Sequence, residues 1–255
     1  MEKLTIVKVG GKVVETPASL TDLLTRFAAI EGHKILVHGG GRTATQIASR
    51  LGIESELVNG RRITDLDTLR VVTMVYAGLV NKDLVAKLQA MDINALGLTG
   101  ADLNYMRSEK RPVKEVDYGY VGDVKEVQPT ILANLIMQGV VPVLAPLTHD
   151  KKGQLLNTNA DTIAGEAAKA LSHHFDVTLI YCFEKKGVLR DEQDDESVIA
   201  TLTHEQFTDY VKKGMIVGGM IPKLENAFEA INAGVKTVII TRADAITGES
   251  GTRIS

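Results

Sequence analysis

Short apolar runs alternate along this chain with longer stretches in which apolar residues recur at helical spacing. Strand-length runs rich in β-branched residues occupy residues 5–9, 34–38, 95–99, 140–145, 177–182 and 235–241. Helical spacing marks residues 17–30, 42–51, 65–89, 129–138, 160–171, 203–211 and 222–231. Strands that alternate with helices imply right-handed βαβ crossovers, so the pattern predicts an α/β fold with a mostly parallel sheet.

Two of the predicted strands end directly in glycines. Gly10 and Gly11 follow the first strand, and the triplet 39–41 follows the second. Loops after parallel strands lie on one edge of the sheet, so we expect the two glycine loops to be close together. Bare backbone N–H groups beside Lys8 suit a bound phosphate, although a tight turn is the ordinary explanation for paired glycines.

Three further features favour the phosphate interpretation when they are taken together. Gly218 and Gly219 form a third glycine loop, and Lys223 falls in the first turn of the next helix, where a cation is electrostatically disfavoured unless an anion is near. Asn159 and Asp161 open another helix, as an N-cap and a first-turn charge. Each feature has an ordinary structural explanation, but all are predicted at the same edge of the sheet.

The predicted helix over residues 65–89 carries an unusually broad apolar stripe. Leucines and valines cover much of its circumference. Such a helix is either deeply buried or packs on another subunit, and we favour a contact in a homodimer.

Composition limits the class of protein and its partners. The 255 residues suffice for one large domain or two closely joined lobes, with a seam near residues 171–175. The net charge of −3, without a basic block, does not favour a nucleic-acid partner, and no apolar run reaches a membrane span. The N-terminus lacks a signal-peptide pattern, and the single cysteine, Cys182, fits a reducing cytoplasm as a buried, inert thiol.

Several common site motifs do not occur in the sequence. There is no P-loop motif, no Gly-x-Gly-x-x-Gly fingerprint and no His/Cys spacing typical of zinc. The acidic run at residues 191–196 is interpreted as a solvated loop rather than a metal site. His38 ends a strand just before the glycine triplet, and both a structural and a catalytic role stay open for it.

Five motifs occur in a fixed order, and together they resemble the amino-acid kinase family. They are Lys8-x-Gly10-Gly11, His38-Gly-Gly40-Gly41, Asn59-Gly-x-Arg62-x-Thr64, Asn157-x-Asn159-Ala-Asp161 and Gly218-Gly219-Met220-x-x-Lys223. The resemblance covers essentially the whole chain. The third and fourth motifs are most similar to the members that phosphorylate an N-acylated glutamate in arginine biosynthesis.

The resemblance implies a three-layer αβα sandwich with a central, mostly parallel sheet. Residues 1–172 would form an N-terminal lobe that binds the N-acylglutamate and forms the dimer. Residues 173–255 would form the ATP-binding lobe, and the two lobes would make one compact unit. ATP is expected to bring Mg²⁺ with it, and no protein ligand for a metal is predicted.

The resemblance also assigns roles to individual residues. Lys8 and Lys223 would contact the transferring phosphoryl group, and Asp161 would position both lysines. The remaining expected contacts are phosphate binding by Gly10, Gly11, Gly218 and Gly219; substrate binding by Gly40, Gly41, Arg62 and Asn157; and nucleotide binding by Glu184, Lys186, Gly187 and Met220. The chain departs from the family pattern at residues 182–187, a loop expected to border the nucleotide, and at Val217, which replaces a polar residue of some relatives.

Elementary chemistry agrees with these roles. A glutamate γ-carboxylate has a reference pKa near 4.3, so it is ionised at neutral pH and needs no general base. The obstacle is repulsion between two anions, which lysines and backbone N–H groups reduce.

Several alternatives stay open for the substrate. N-acetylglutamate is expected, with N-succinylglutamate as an alternative for which the insertion at residues 105–127, a predicted β-hairpin, would supply room or a cation such as Arg111. Glutamate, aspartate, carbamate or UMP would serve other family members, and a non-catalytic ligand-binding regulator is the alternative of a different class. The chain begins almost at its first strand, so we expect a dimer without the arginine inhibition of relatives that carry an N-terminal helical extension.

Overall fold

The computed structural model describes residues 1–58, 60–191, 193–218, 220–248 and 250–255. The helices are α1 (Gly11–Glu15), α2 (Pro17–Ala28), α3 (Gly41–Arg50), α4 (Leu66–Thr73), α5 (Asn81–Gln89), α6 (Pro129–Met137), α7 (Ala160–Leu171), α8 (His204–Lys212) and α9 (Met220–Asn232). The strands are β1 (Lys3–Val9), β2 (His33–His38), β3 (Leu57–Val58), β4 (Arg61–Arg62), β5 (Ala95–Leu98), β6 (Met106–Lys110), β7 (Gly122–Val127), β8 (Val141–Leu144), β9 (Leu147–His149), β10 (Leu155–Asn157), β11 (Asp176–Phe183), β12 (Thr201–Leu202), β13 (Thr237–Arg242) and β14 (Thr252–Ile254).

Eight strands form the central sheet, in the order β12-β14-β13-β11-β1-β2-β8-β5. The pairs in this sheet are parallel except for β13 with β14, which are antiparallel. The predicted α/β fold with a mostly parallel sheet is therefore confirmed. β1 lies in the middle, with Lys8 in register with Val37 on one side and Tyr181 on the other.

Helices cover both faces of this sheet and make it the middle of three layers. One hydrophobic cluster joins the sheet to α6, α7, α8 and α9, and a second joins it to α2, α3, α4 and α5. Alternation along β1 puts Leu4 and Ile6 in the first cluster and Val7 and Val9 in the second. The same alternation directs Lys8 toward the face that carries α7 and α9.

A second, four-stranded sheet has the order β10-β9-β6-β7. The predicted β-hairpin in residues 105–127 is confirmed, because β6 and β7 pair antiparallel with a register shift between Arg107 and Ser108. The sequence pattern did not predict β9, which pairs with β10 and, at one position, with β6. A separate two-stranded hairpin joins β3 to β4.

Two local predictions need correction. The turn expected after β1 is the short helix α1. The helix predicted over residues 65–89 begins after Asp65, whose side chain caps it by accepting from the Thr68 N–H, but its middle segment, Met74–Val80, is π-helical. Periodicity alone does not reveal such a segment.

The central sheet continues across residue 172, because β1 pairs with β11. The division into lobes at this residue stays a prediction. Within the described residues, no helix combines the length and apolar character needed to cross a bilayer.

Candidate active site

A buried ion pair joins the end of β1 to the start of α7. The Lys8 Nζ lies 2.7 Å from Asp161 Oδ1, and the two side chains are only 9% and 10% exposed. Asp161 is held in place because Asn159 caps α7, accepting from the Asp161 N–H (2.7 Å) and the Thr162 N–H (3.3 Å). The N-cap predicted at Asn159 is therefore confirmed.

Lys223, in the first turn of α9, contacts the same aromatic ring as Lys8. Its Nζ lies 3.9 Å from the centroid of the Phe183 ring, and the Lys8 Nζ lies 5.4 Å from it. One aromatic ring thus contacts both predicted catalytic lysines, an arrangement that attracts cations electrostatically. Burial lowers the pKa of Lys223, and the nearby Lys8 lowers it further, while Asp161 opposes both effects.

The two glycine loops meet at the carboxyl edge of the sheet, as the sequence predicted. The Gly39 N–H donates to the Val9 carbonyl oxygen (3.1 Å). A Cβ atom on Gly39 would lie 3.2 Å from the Gly11 nitrogen, and one on Gly11 would lie 3.7 Å from the nitrogens of Gly40 and Gly41. A side chain at residue 39 would therefore crowd this junction, whereas a Cβ atom at residue 11 would make ordinary van der Waals contact with it.

A cavity of about 440 Å³ brings residues of both halves of the chain together. Its lining includes the candidates Lys8, Gly10, Gly11, Gly41, Glu184, Met220 and Lys223, together with Lys12, Val13, Arg42, Cys182, Phe183 and Lys185. Gly218 precedes α9 with a φ of +57° and does not line this cavity. Gly219 lies outside the described residues.

A second cavity, of about 190 Å³, holds the predicted substrate residues. Gly40, Gly41, Arg62 and Asn157 line it, and Gly41 lines both cavities, so the two sites meet there. The buried Arg62 guanidinium donates to the Gly41 carbonyl oxygen (2.8 Å), Thr45 Oγ1 (2.8 Å) and Ser55 Oγ (2.7 Å). The Asn157 Nδ2 donates to Thr64 Oγ1 (3.0 Å).

Tyr76 is a lining residue that the sequence did not single out. It lies in the π-helical segment, and a Cβ atom on Gly40 would come within 3.0 Å of its ring. Burial raises the pKa of Tyr76, and the Arg62 cation opposes that effect. π-Helical segments often occur at functional sites, but only the three-dimensional structure reveals this one.

A third, small cavity of about 70 Å³ adjoins the first through Lys185 and Met220. It is mostly apolar and is lined in addition by Gly187, Val188, Leu189, Met215, Ile216 and Val217. Lys186 lines none of these three cavities, and its ammonium group pairs with Glu196.

The surroundings of His38 and Cys182 indicate a structural rather than a catalytic role for each residue. The His38 Nδ1–H donates to the Gly39 carbonyl oxygen (2.7 Å), and Asn81 Nδ2 donates to His38 Nε2 (3.1 Å). Burial lowers the pKa of His38 to about 4, so the ring is neutral at pH 7 and both of its nitrogens are engaged. Burial raises the pKa of the Cys182 thiol to about 12, in agreement with the inert thiol predicted from the sequence.

Comparison with known proteins decides the family. The amino acid kinase family matches this chain over residues 3–242. The chain belongs to the amino acid kinase family. An acetylglutamate kinase from Bacteroides fragilis is 70% identical to this family member over 253 residues, which cover 99% of this chain and 97% of the relative. An acetylglutamate kinase from Parabacteroides distasonis is 69% identical over 254 residues and covers all of both chains.

The fold of this amino acid kinase also occurs among solved structures. The crystal structure of smu.665 from Streptococcus mutans superimposes with a TM-score of 0.83 at 28% identity. The alignment covers 99% of this chain and 98% of the other.

Proposed function

We propose that this amino acid kinase transfers the γ-phosphoryl group of ATP to the γ-carboxylate of N-acetylglutamate. The highly similar acetylglutamate kinases support this reaction, which is consistent with a place in arginine biosynthesis. The observation that carries the proposal is the pair of lysines in the lining of the 440 Å³ cavity, which meets the 190 Å³ cavity at Gly41. Lys8 and Lys223 share the Phe183 ring there, beside the two glycine loops.

The chemical step needs no proton transfer from the acceptor. A γ-carboxylate oxygen, already ionised, forms a bond to the γ-phosphorus, and the bond from that phosphorus to the β,γ-bridging oxygen breaks. The bridging oxygen leaves with the electron pair as part of ADP. The product is a mixed carboxylic-phosphoric anhydride, an acyl phosphate.

The lysines lower the barrier by electrostatics. Lys8 and Lys223 would contact the phosphoryl oxygens, and Asp161 would hold both ammonium groups in place from α7. Donors that are fixed before the reaction stabilise the charge that develops in the transition state, and loss of one typically costs about 10²–10³ in rate. Gly10 and Gly11 would provide backbone contacts to phosphate from the cavity lining. The same role stays a prediction for Gly218 and Gly219.

The 190 Å³ cavity suits the acceptor. Arg62, with its planar set of donors, would bind the α-carboxylate of the amino acid. Asn157, Gly40 and Gly41 would contribute the remaining polar contacts. The Tyr76 ring packs against Gly40 and closes one side of this cavity.

The nucleotide would extend from the 440 Å³ cavity toward the small apolar one. Glu184, Gly187 and Met220 line these spaces, whereas a contact from Lys186 would require it to leave Glu196. Among the residues that the structure describes, no three His, Cys, Asp or Glu side chains group as a metal site, so we propose that Mg²⁺ is carried by ATP. When bound, Mg²⁺ neutralises charge on the phosphate oxygens.

A cationic cavity beside the acceptor site makes N-succinylglutamate the second candidate substrate. Arg61 lines both the 190 Å³ cavity and another of about 500 Å³. The lining of the larger one has three cations, Arg61, Arg111 and Lys114, against two carboxylates, Glu115 and Asp123, and Asp123 pairs with Arg111. Burial lowers the pKa of Arg61, and the Arg111 cation adds to this effect, while Asp123 and Tyr118 oppose it. An acyl group with a terminal carboxylate would offset that repulsion.

A coupled assay of ADP release tests the reaction and the acyl group together. We expect turnover with N-acetylglutamate and none with glutamate. Higher kcat/KM with N-succinylglutamate, and loss of that preference in Arg111→Leu, would favour the second candidate. Lys152→Leu, an exposed lysine in another loop, is the control variant. If none of the three acceptors gives ADP, the kinase proposal is wrong and a non-catalytic regulator becomes the better interpretation.

We also propose a homodimer with a lobe division near residue 172. β5 forms one edge of the central sheet, and Met74 and Leu79 in the adjoining helix are 56% and 54% exposed. In a π-helix, residues five apart lie on one face, so these two side chains form a common apolar surface. Sedimentation should give twice the chain mass of 27.6 kDa, and Leu79→Lys should give monomers.

Met137→Lys, an equally exposed apolar position on α6, is the control for the dimer surface. A monomeric wild-type protein would contradict the dimer. A cytoplasmic location is proposed as well, and it is supported by the single, buried and free thiol of Cys182.

A further inference from the structure

Two cations without a role in the reaction as described, Lys12 and Arg42, meet the expected nucleotide residue Glu184 in the lining of the 440 Å³ cavity. Lys12 on α1 donates from Nζ to Glu184 Oε2 at 2.7 Å, and Arg42 Nη2 on α3 lies 3.6 Å from Glu184 Oε1. Glu184 directly follows β11, the strand that pairs with β1. One carboxylate therefore links two cations that belong to the other half of the chain.

The lining of this cavity is strongly cationic. Its described lining residues include five cations, Lys8, Lys12, Arg42, Lys185 and Lys223, and one carboxylate, Glu184. Lys8 and Lys185 also pair with Asp161 and Asp195, which are not lining residues. Glu184 is thus the anion that Lys12 and Arg42 contact inside a cavity suited to a polyphosphate.

The contact between these three residues is exchangeable. The side chains of Lys12, Glu184 and Arg42 are 53%, 55% and 60% exposed. Ion pairs at such exposure contribute little to stability, whereas phosphate oxygens carry more charge and form stronger charge-assisted hydrogen bonds. The hydrogen bond from Lys12 lowers the pKa of Glu184 most, and the charges of nearby cations lower it further. The Glu184 carboxylate is therefore ionised at neutral pH.

Position along the chain brings both cations close to the proposed transfer site. Lys12 directly follows Gly11, and Arg42 directly follows Gly41, so each is adjacent to one of the glycine loops. Glu15 strengthens this arrangement, since its Oε1 accepts from the Thr43 N–H (2.8 Å) and Thr43 Oγ1 (2.9 Å). That carboxylate ties α1 to the first turn of α3.

We infer that Lys12 and Arg42 are additional nucleotide-binding residues that contact phosphate oxygens of ATP, and that Glu184 is an internal competitor for them. Glu184 occupies the two cations until the nucleotide displaces it. The inference rests on the proposed function because it takes ATP as the ligand. It assigns Glu184 to the nucleotide site by competition rather than by direct contact.

Binding of the non-hydrolysable analogue AMP-PNP with Mg²⁺, measured by calorimetry, tests the inference without turnover. Lys12→Met and Arg42→Met should each raise the Kd about tenfold, because each removes a charge-assisted contact. Glu184→Gln should lower the Kd about threefold by removing the competitor. Lys213→Met, which removes an exposed lysine paired with Asp209, should leave the Kd unchanged.

A double-mutant cycle separates competition from a structural link. Adding Glu184→Gln to the variant that combines Lys12→Met and Arg42→Met should leave the Kd of that variant unchanged, because neither of the cations that Glu184 contacts is left to compete for. In steady-state assays, the KM for ATP should rise more than kcat falls in the two cation variants.

The possible failures are distinguishable. Wild-type binding of AMP-PNP with an unchanged Kd in Lys12→Met and Arg42→Met would overturn the inference alone. A raised Kd in Glu184→Gln would also overturn it, since that result makes Glu184 a direct ligand or a structural link. If the wild-type protein binds no AMP-PNP, both the inference and the proposed function are wrong.

Discussion

Replacing Asp161 by asparagine tests the buried pair on which the lysine arrangement depends. Asp161→Asn keeps the shape of the side chain but removes the charge 2.7 Å from Lys8 Nζ, where both side chains are about nine-tenths buried. Breaking a buried ion pair from one side costs about 3–5 kcal/mol, because the other charge is left uncompensated. At about 2 °C per kcal/mol for a chain of this size, Tm should fall by roughly 6–10 °C.

The same substitution should change the pH dependence of the reaction. Asp161 keeps the pKa of Lys223 from falling further under burial and the repulsion of Lys8. Lys223 acts in its protonated form, so activity is lost as pH rises through its pKa. Without Asp161 this pKa is lower, and the alkaline limb of kcat/KM for ATP should shift to lower pH. At neutral pH, kcat should fall about 10²–10³.

Thermal unfolding and initial rates between pH 6 and 10 measure both effects. Asp22→Asn is the matched control, because the Asp22 carboxylate pairs with Arg26 (2.9 Å) on the exposed face of α2. The control should change Tm by about 2 °C or less and leave the pH profile in place. If Asp161→Asn has the wild-type Tm and alkaline limb, Asp161 does not support the two lysines as described.

Substitutions at three further positions test other parts of the site and core. Arg62→Lys removes the planar guanidinium group and its three hydrogen bonds. The KM for N-acetylglutamate at saturating ATP should therefore rise about tenfold or more. An unchanged KM would contradict the assignment of Arg62 to the acceptor. Phe183→Leu should lower kcat by about 2- to 30-fold through loss of the cation–π contacts, and Phe183→Tyr should preserve it; equal rates in the two variants would refute the role of the ring. As pH falls from about 6.5 to about 4, the unfolded chain protonates His38 before the folded one does, so the wild type should lose up to roughly 3 kcal/mol. Urea unfolding of His38→Gln should lack that loss, while the exposed control His173→Gln should retain it; the same pH slope in His38→Gln as in the wild type would argue against the buried neutral ring.

Much of the fold follows from local pattern. The β-branched run ending at Val9 predicts a buried strand, and the glycines after it predict a loop at the carboxyl edge of the sheet. The structure confirms both the strand and the position of the loop. Alternation along that strand also puts Lys8 on the face opposite Val7 and Val9. These features depend on neighbours in the sequence, so they are readable from it.

Other parts of the site depend on contacts between distant residues. Phe183 is apolar and ends a strand, and nothing local shows that its ring lies under two lysines from β1 and α9. Tyr76 belongs to an apolar stripe, and its place beside Gly40 depends on a π-helical segment with no sequence signal of its own. The link from Lys12 to Glu184 joins residues 172 positions apart.

Formation of the acyl phosphate is the most direct test of the central claim. The enzyme is incubated with ATP, Mg²⁺, N-acetylglutamate and hydroxylamine, which converts an acyl phosphate into a hydroxamate. We predict ADP and hydroxamate in equal amounts, with kcat in Lys8→Ala and Lys223→Ala lowered far more than either substrate's binding is weakened. ADP without hydroxamate, or wild-type turnover in either lysine variant, would contradict the account.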